Sequence, residues 1–180
     1  MQVRPAEKKD LNDVCAAYEA SRAYMASHGN ETQWPGDYPG LRDAKIDLRR
    51  GTLFVCVDEK DAVLGCFTFE PGPEPDYRLI EGGAWLNKFP YFVIHRMATL
   101  RQGEGVGGAM VDWVCKAANN VRTDTHENNA AMQALLESRG FERCGVVTLR
   151  KAGERVAYHF QRPDDRPEVK SGDPFWFWKR

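Results

Sequence analysis

Four of the seven residues in Gln102-Gly103-Glu104-Gly105-Val106-Gly107-Gly108 are glycine. The run sits between a stretch that reads as a strand and one that reads as a helix. Glycine lets the backbone come close to a ligand and take up left-handed conformations at little steric cost. The first N–H groups of a helix have no partner inside it, and together with the helix dipole they favour a phosphate or pyrophosphate. A tight turn alone is the plainer explanation. So dense a cluster of glycines at a strand-to-helix junction favours an anion site.

The elements around this turn follow from periodicity. Val3 and its neighbours open as a strand. Lys8 to His28 reads as a helix, with Leu11, Val14, Cys15, Tyr18, Ser21, Arg22 and Met25 at helical spacing and Gly29 as its stop. After a Gly/Pro-rich loop at 29–40, Leu41 to Arg50 reads as a second helix ended by Gly51. Thr52–Asp58 and Ala62–Glu70 form a hairpin pattern, and residues 71–90 a long loop. Tyr91 to Thr99 reads as a strand in which Phe92, Ile94 and Arg96 alternate with Val93, His95 and Met97. Gly105–Asn119 is an amphipathic helix, Val121–His126 a strand, Asn129–Arg139 a helix stopped by Gly140, and Cys144–Arg150 with Arg155–Gln161 a second hairpin. The order β-α-α-β-β-β-α-β-α-β-β predicts an α/β (α+β) chain with a mixed sheet and helices on both faces.

Residues 1–162 read as one domain and 163–180 as a tail that ends in Phe175-Trp176-Phe177-Trp178. Four adjacent large aromatics are costly to leave in water, so the tail is expected to dock on its own domain or across a homodimer. The net charge of -1 gives no general attraction to nucleic acid or to a membrane surface. Five scattered cysteines without a C-x-x-C pair argue against a disulfide framework or a zinc cluster, and no metal site is expected. The opening residues lack the apolar stretch of a secretion signal, and no apolar run reaches the roughly 20 residues of a membrane helix. A cytoplasmic protein is the expectation.

Two anion-binding patterns fit the glycine turn. Gly103, Gly105 and Gly108 satisfy G-x-G-x-x-G, and Asp124 follows about twenty residues later, as in dinucleotide-binding folds. Against this, the preceding strand carries His95 and Arg96 where a central parallel strand would be continuously apolar. Too little sequence follows to complete a doubly wound sheet. The second pattern is Q/R-x-x-G-x-G/A, met by Gln102, Gly105 and Gly107. Downstream, Asn129, Met132, Leu136 and Gly140-Phe141 fall on the spacing N-x-x-A-x-x-(L/F)-Y-x-x-x-G-F. With both stretches in register, the chain resembles the GCN5-related N-acetyltransferase (GNAT) superfamily.

That resemblance implies a mostly antiparallel GNAT-like acyl-CoA N-acyltransferase fold and acetyl-CoA as acyl donor. It implies that the strand positions Met97 and Thr99 offer backbone hydrogen bonds to the pantetheine arm. Gln102 through Gly108 would wrap the pyrophosphate, and Asn129 would contact the cofactor arm. It also places Asp124 where some relatives carry a glutamate base. The chain departs from the pattern at Leu136, where relatives often have a tyrosine that protonates the leaving thiolate. The implied activity is transfer of acetyl to an amine on a small molecule or peptide. The departure at Leu136 keeps open an acyl-CoA-binding sensor or scaffold without turnover.

Acetyl transfer to an amine needs the nitrogen neutral, hence a base or a water chain leading to one. Asp124 and His126 lie two apart on a strand and so share a face. A carboxylate there fixes the imidazole tautomer and raises its pKa. They read either as a base-and-shuttle pair or as a structural junction. His95, on the neighbouring strand, needs a polar partner or an open cleft, and is a third candidate. Trp34, Glu81 and Tyr91, with Tyr38 and Trp85, are candidates for the acceptor pocket, because loop aromatics near a cleft are costly to expose.

Overall fold

The computed structural model describes residues 1–162, so the aromatic tail expected to dock lies outside the described residues. Strand β1 (Gln2–Pro5) is followed by a 3₁₀ turn and helix α1 (Leu11–Ser27). Next come α2 (Leu41–Arg50), β2 (Leu53–Val57), β3 (Val63–Pro71), β4 (Phe92–Thr99) and α3 (Val106–Ala117). The described chain closes with β5 (Asn120–Thr125), α4 (Ala130–Glu137), β6 (Glu142–Leu149) and β7 (Gly153–Gln161). The seven strands form one sheet in the order β1-β2-β3-β4-β5-β7-β6. Only β4 and β5 run parallel; every other neighbouring pair is antiparallel.

Both faces of the sheet are covered, which is why β2 is buried along its whole length. Its alternation sends Leu53, Val55 and Val57 toward Leu11, Val14 and Tyr18 of α1. Phe54 and Cys56 go the other way, toward Met110, Val111 and Val114 of α3. There Phe54 packs on Trp113 with ring centroids 5.1 Å apart. Helix α1 buries Leu11, Val14, Tyr18, Ser21 and Met25, the spacing that holds one face of a helix against a layer.

Gly140 ends the turn after α4 at φ +81°, and the next N–H, of Phe141, returns to the Leu136 carbonyl at 3.1 Å. A Cβ added there would meet only the Phe160 ring, at 3.9 Å and beyond. A Gly140→Ala variant should therefore lose about 1–2 kcal/mol, the cost of a left-handed non-glycine residue, with no clash added. Urea unfolding of the variant and its parent checks this.

The regular alternation expected through β4 does not hold. Cys66 pairs with Ala98 but Thr68 pairs with His95, so Arg96 and Met97 together oppose Phe67 alone. This is a β-bulge, and Arg96 enters it at φ +50°. Buried Asp47 of α2 holds the residue: Arg96 Nε donates to Oδ2 and Nη2 to Oδ1, both at 2.9 Å. Thr68 donates to the same Oδ2 at 3.0 Å. The paired fork fixes the planar guanidinium and with it a strained backbone.

The bulge lies where the sheet opens. β4 and β5 pair only through Phe92↔Val121 and Val93↔Arg122. One step on, Thr123 Oγ1 donates to the Ile94 carbonyl at 3.0 Å. Beyond that point the strands part, and residues of both line a cavity of about 230 Å³.

Candidate active site

One side of the cavity is the glycine turn. Gln102, Gly103, Gly105, Val106 and Gly107 line it, with Arg101 beside them. Gly103 and Gly105 stand at φ +81° and +76°, conformations that favour glycine. The first intrahelical bond of α3 is Ala109 N–H to the Gly105 carbonyl. The N–H groups of Val106, Gly107 and Gly108 therefore have no partner within the helix. At Gly107 a Cβ would stand 3.1 Å from Leu135 Cδ2, so glycine keeps this approach narrow but open. The unpartnered N–H groups and the helix dipole suit the turn to an anion such as a pyrophosphate. Glu104 and Gly108 are outside the lining: Glu104 is exposed, 3.8 Å from Arg101, and Gly108 is packed against the Arg139 guanidinium.

Met97 and Thr99 both line the cavity. The Thr99 N–H, expected to be open to a ligand, donates to Ser21 Oγ of α1 at 3.0 Å. Gln102 Nε2 donates to Thr99 Oγ1 at 2.7 Å, tying the glycine turn to the end of β4. Asn129 lines the cavity as the N-cap of α4, where Oδ1 accepts from the Met132 N–H at 3.1 Å. Its Nδ2 donates to Gln33 Oε1 at 2.8 Å, an oxygen that also accepts from Asn30 Nδ2 at 2.8 Å. Asn129 is thus a structural knot between α4 and the 29–40 loop, with one edge in the cavity.

The opposite wall carries the titratable groups. Asp124 Oδ1 accepts from the Tyr77 hydroxyl at 2.6 Å, and Oδ2 lies 4.0 Å from Arg155 Nε. Burial pushes the Asp124 carboxyl above the usual carboxylate range, against the pull of His95, Tyr77 and Arg155. Burial, and then the neighbouring Asp124, also raise the Tyr77 phenol, so it stays a donor. His95 lines the cavity and pairs with Glu74, Nε2 to Oε2 at 3.2 Å; this contact holds the Glu74 carboxyl below its ordinary value.

His126 does not join this group. The strand ends at Thr125, so the two-residue alternation that would pair it with Asp124 stops one residue short. Its Nδ1 accepts from the Asn128 N–H and its Nε2 faces Thr32 Oγ1, both at 3.1 Å. Burial and the field of Arg155 lower its pKa. Of the expected acceptor residues, Trp34 lines the cavity, edge-on to Tyr18. Glu81 is exposed and pairs through its backbone with Val146, away from the cavity. Tyr91 lies behind the wall, its hydroxyl accepting from the Glu74 N–H and its ring under the Arg122 guanidinium at 3.9 Å. Arg155, Tyr77 and Gln33 were missed by sequence reasoning. The only signal was a charged residue, Arg155, leading directly into the apolar residues of β7.

The profile of the acetyltransferase (GNAT) family matches residues 16–141, which spans the glycine turn, Asp124 and Asn129. The chain belongs to the GNAT acetyltransferase family. Family membership implies acyl transfer from an acyl-CoA donor. Among solved structures, a GNAT-family acetyltransferase from Streptococcus agalactiae 2603 superposes with a TM-score of 0.82. It is 28% identical, over 89% of this chain and 95% of that one. A GNAT-family acetyltransferase from Listeria monocytogenes 4b F2365 shares the fold at a TM-score of 0.62 and 20% identity, over 88% and 92% of the two chains. The NatC complex bound to Gag peptide and CoA shares it at 0.54 and 14%, over 89% and 97%. A comparison with curated proteins finds no match. The mixed, mostly antiparallel sheet expected from the sequence is the GNAT architecture, and the dinucleotide-binding alternative falls with it. Among the described residues no helix is long and apolar enough to cross a membrane, and no three His, Cys, Asp or Glu side chains gather as a metal-ligand set.

Proposed function

We propose that this GNAT protein moves an acetyl group from acetyl-CoA directly to an amine, with Asp124 as the base. The supporting observation is that one cavity holds both a glycine cradle suited to a pyrophosphate and a buried carboxylate with one oxygen engaged by Tyr77. Gln102, Gly103, Gly105, Val106 and Gly107, with Met97 and Asn129, hold the donor, and the acceptor nitrogen approaches from the Asp124 wall. As nitrogen attacks the thioester carbon, its proton passes to Asp124 Oδ2, the C–N bond forms and the C–S bond breaks. Tyr77 keeps the carboxylate oriented throughout.

Leu136 stands where relatives carry a tyrosine acid, and it is buried against α3 and β7 with an edge on the cavity. A thiol of ordinary pKa, about 8.5, leaves as thiolate near neutral pH and takes its proton from solvent, so the missing phenol is tolerable. Leu136 also gives the second reading its support: an acyl-CoA-binding sensor or scaffold that never turns over. Thiol release from acetyl-CoA over an amine panel separates the two, since a pure binding module releases none.

The pH profile bears on the base. Asp124 accepts a proton only when ionised, and its folded-state pKa is raised by burial. The acidic limb of kcat/KM should therefore lie above the value of about 3.9 for a free aspartate, with activity rising as pH climbs through it. Asp124→Asn should remove that limb; a limb that persists in the variant assigns the base elsewhere.

A further inference from the structure

Three arginines line the cavity, and two are accounted for. Arg96 is spent on Asp47, and Arg101 stands exposed beside the glycine turn. Arg155 is different. It enters from β7 with its side chain only 4% exposed, beside Asp124 and away from the pyrophosphate cradle. Its Nη1 donates to the Glu154 carbonyl at 2.7 Å and Nη2 to the Gln33 carbonyl at 3.4 Å. A guanidinium has five N–H donors, so these two bonds leave three without a protein partner among the described residues, in a side chain that lines the cavity. Its neighbour Asp124 is too far for a hydrogen bond, with Nε and Oδ2 at 4.0 Å. A buried cation and a buried carboxylate thus stand side by side, each with an unspent hydrogen-bonding face.

From this we infer that the acceptor is a free α-amino acid, its carboxylate held by Arg155 and its amino nitrogen by Asp124. This rests on the acetyl-transfer reading above and gives it a substrate class. Only one carbon separates the amino and carboxylate groups of an α-amino acid, so both ends reach partners 4.0 Å apart at once. A lysine side chain or a polyamine brings nitrogen with no anion beside it, and leaves the buried Arg155 facing another cation. The site thereby rejects basic acceptors as well as attracting zwitterions. The planar fork of arginine matches a carboxylate in two parallel hydrogen bonds. In the reaction the acetyl carbon leaves sulfur for the α-nitrogen, whose proton goes to Asp124. The product N-acetyl amino acid keeps its carboxylate on Arg155 until release.

The test is acetyl-CoA turnover by the full chain, followed by thiol release. The acceptors are L-methionine, L-phenylalanine and L-glutamine, the amide of each, and the matching decarboxylated amines. The expected result is a kcat/KM at least about tenfold higher for the acids than for their amides. In Arg155→Gln that ratio should collapse toward one, chiefly through KM for the acids, and Arg155→Lys should restore part of it. Amides and amines accepted as well as the acids would leave amine acetylation standing and overturn the amino-acid assignment. No thiol release with any of these acids, amides or amines would overturn both. An Arg155→Gln variant that slows acids and amides in equal proportion makes the arginine a wall residue only, and also overturns it.

Discussion

Replacing Gly107 with glutamate is expected to weaken acetyl-CoA binding by at least about 100-fold while the protein stays folded. Gly107 is in the first turn of α3, where an acidic side chain is favoured by the helix dipole, so folding is not penalised on that account. The nearest obstacle to a Cβ is the mobile end of Leu135, at 3.1 Å, which can give by a few tenths of an ångström. The carboxylate would instead occupy the space and field meant for a pyrophosphate. Opposed like charges cost several kcal/mol, and about 2.7 kcal/mol is already 100-fold. Gly107→Ala is the control: it adds the methyl without the charge and should cost far less. Calorimetric titration with acetyl-CoA, alongside thermal melts, reads both effects. Unchanged affinity in the glutamate variant moves the donor site away from this turn.

The second large effect concerns Asp124→Asn, which should lower kcat by about 10²–10⁴-fold with acetyl-CoA affinity held within a few-fold. The asparagine can still accept from Tyr77, so the geometry of the wall is kept. Its stability should move the other way. Burial raises the Asp124 pKa even with Arg155 nearby, so ionising it in the folded protein has a net cost. A group whose folded pKa is raised stabilises fully below its unfolded pKa and loses that contribution as pH rises through the folded value. The neutral asparagine avoids the loss. The variant should therefore melt no lower than the parent at neutral pH, and its relative advantage should vanish below about pH 3.9. His95→Ala is the comparison. A large rate loss there, with Asp124→Asn near normal, would transfer the base to the Glu74–His95 pair. An Asp124→Asn variant that melts early and loses acetyl-CoA would make the carboxylate structural.

Local order carried most of the fold. Apolar residues at spacings of two and of three to four located every strand and helix to within a few residues, because both faces of the sheet are covered and each element buries its own stripe. The glycine turn was legible for a similar reason: its chemistry is backbone chemistry, concentrated in seven consecutive residues. The opposite wall was not. Asp124 meets Tyr77 across 47 residues, Asn129 meets Gln33 across 96, and Arg155 meets Gln33 across 122. No periodicity encodes such partners. The bulge at Arg96 was hidden as well, since its cause is Asp47, a helix residue 49 positions earlier. His126 was assigned to the face of Asp124 because alternation was carried one residue past the end of β5.

The strand order has a consequence for how the protein comes into being. β7 is made after β6, yet it lies between β5 and β6. Until it emerges, β5 has no neighbour on that edge, and β6 has no strand beside it, only the Glu81–Val146 bridge. The first four strands, the glycine turn and α3 all precede β5 along the chain. Arg155, by contrast, arrives with the last described strand, 31 residues after Asp124 by numbering. The nascent chain therefore holds the whole glycine turn before it holds Arg155, the residue proposed above to select the acceptor, so the proposed specificity element is the last of the site to be made.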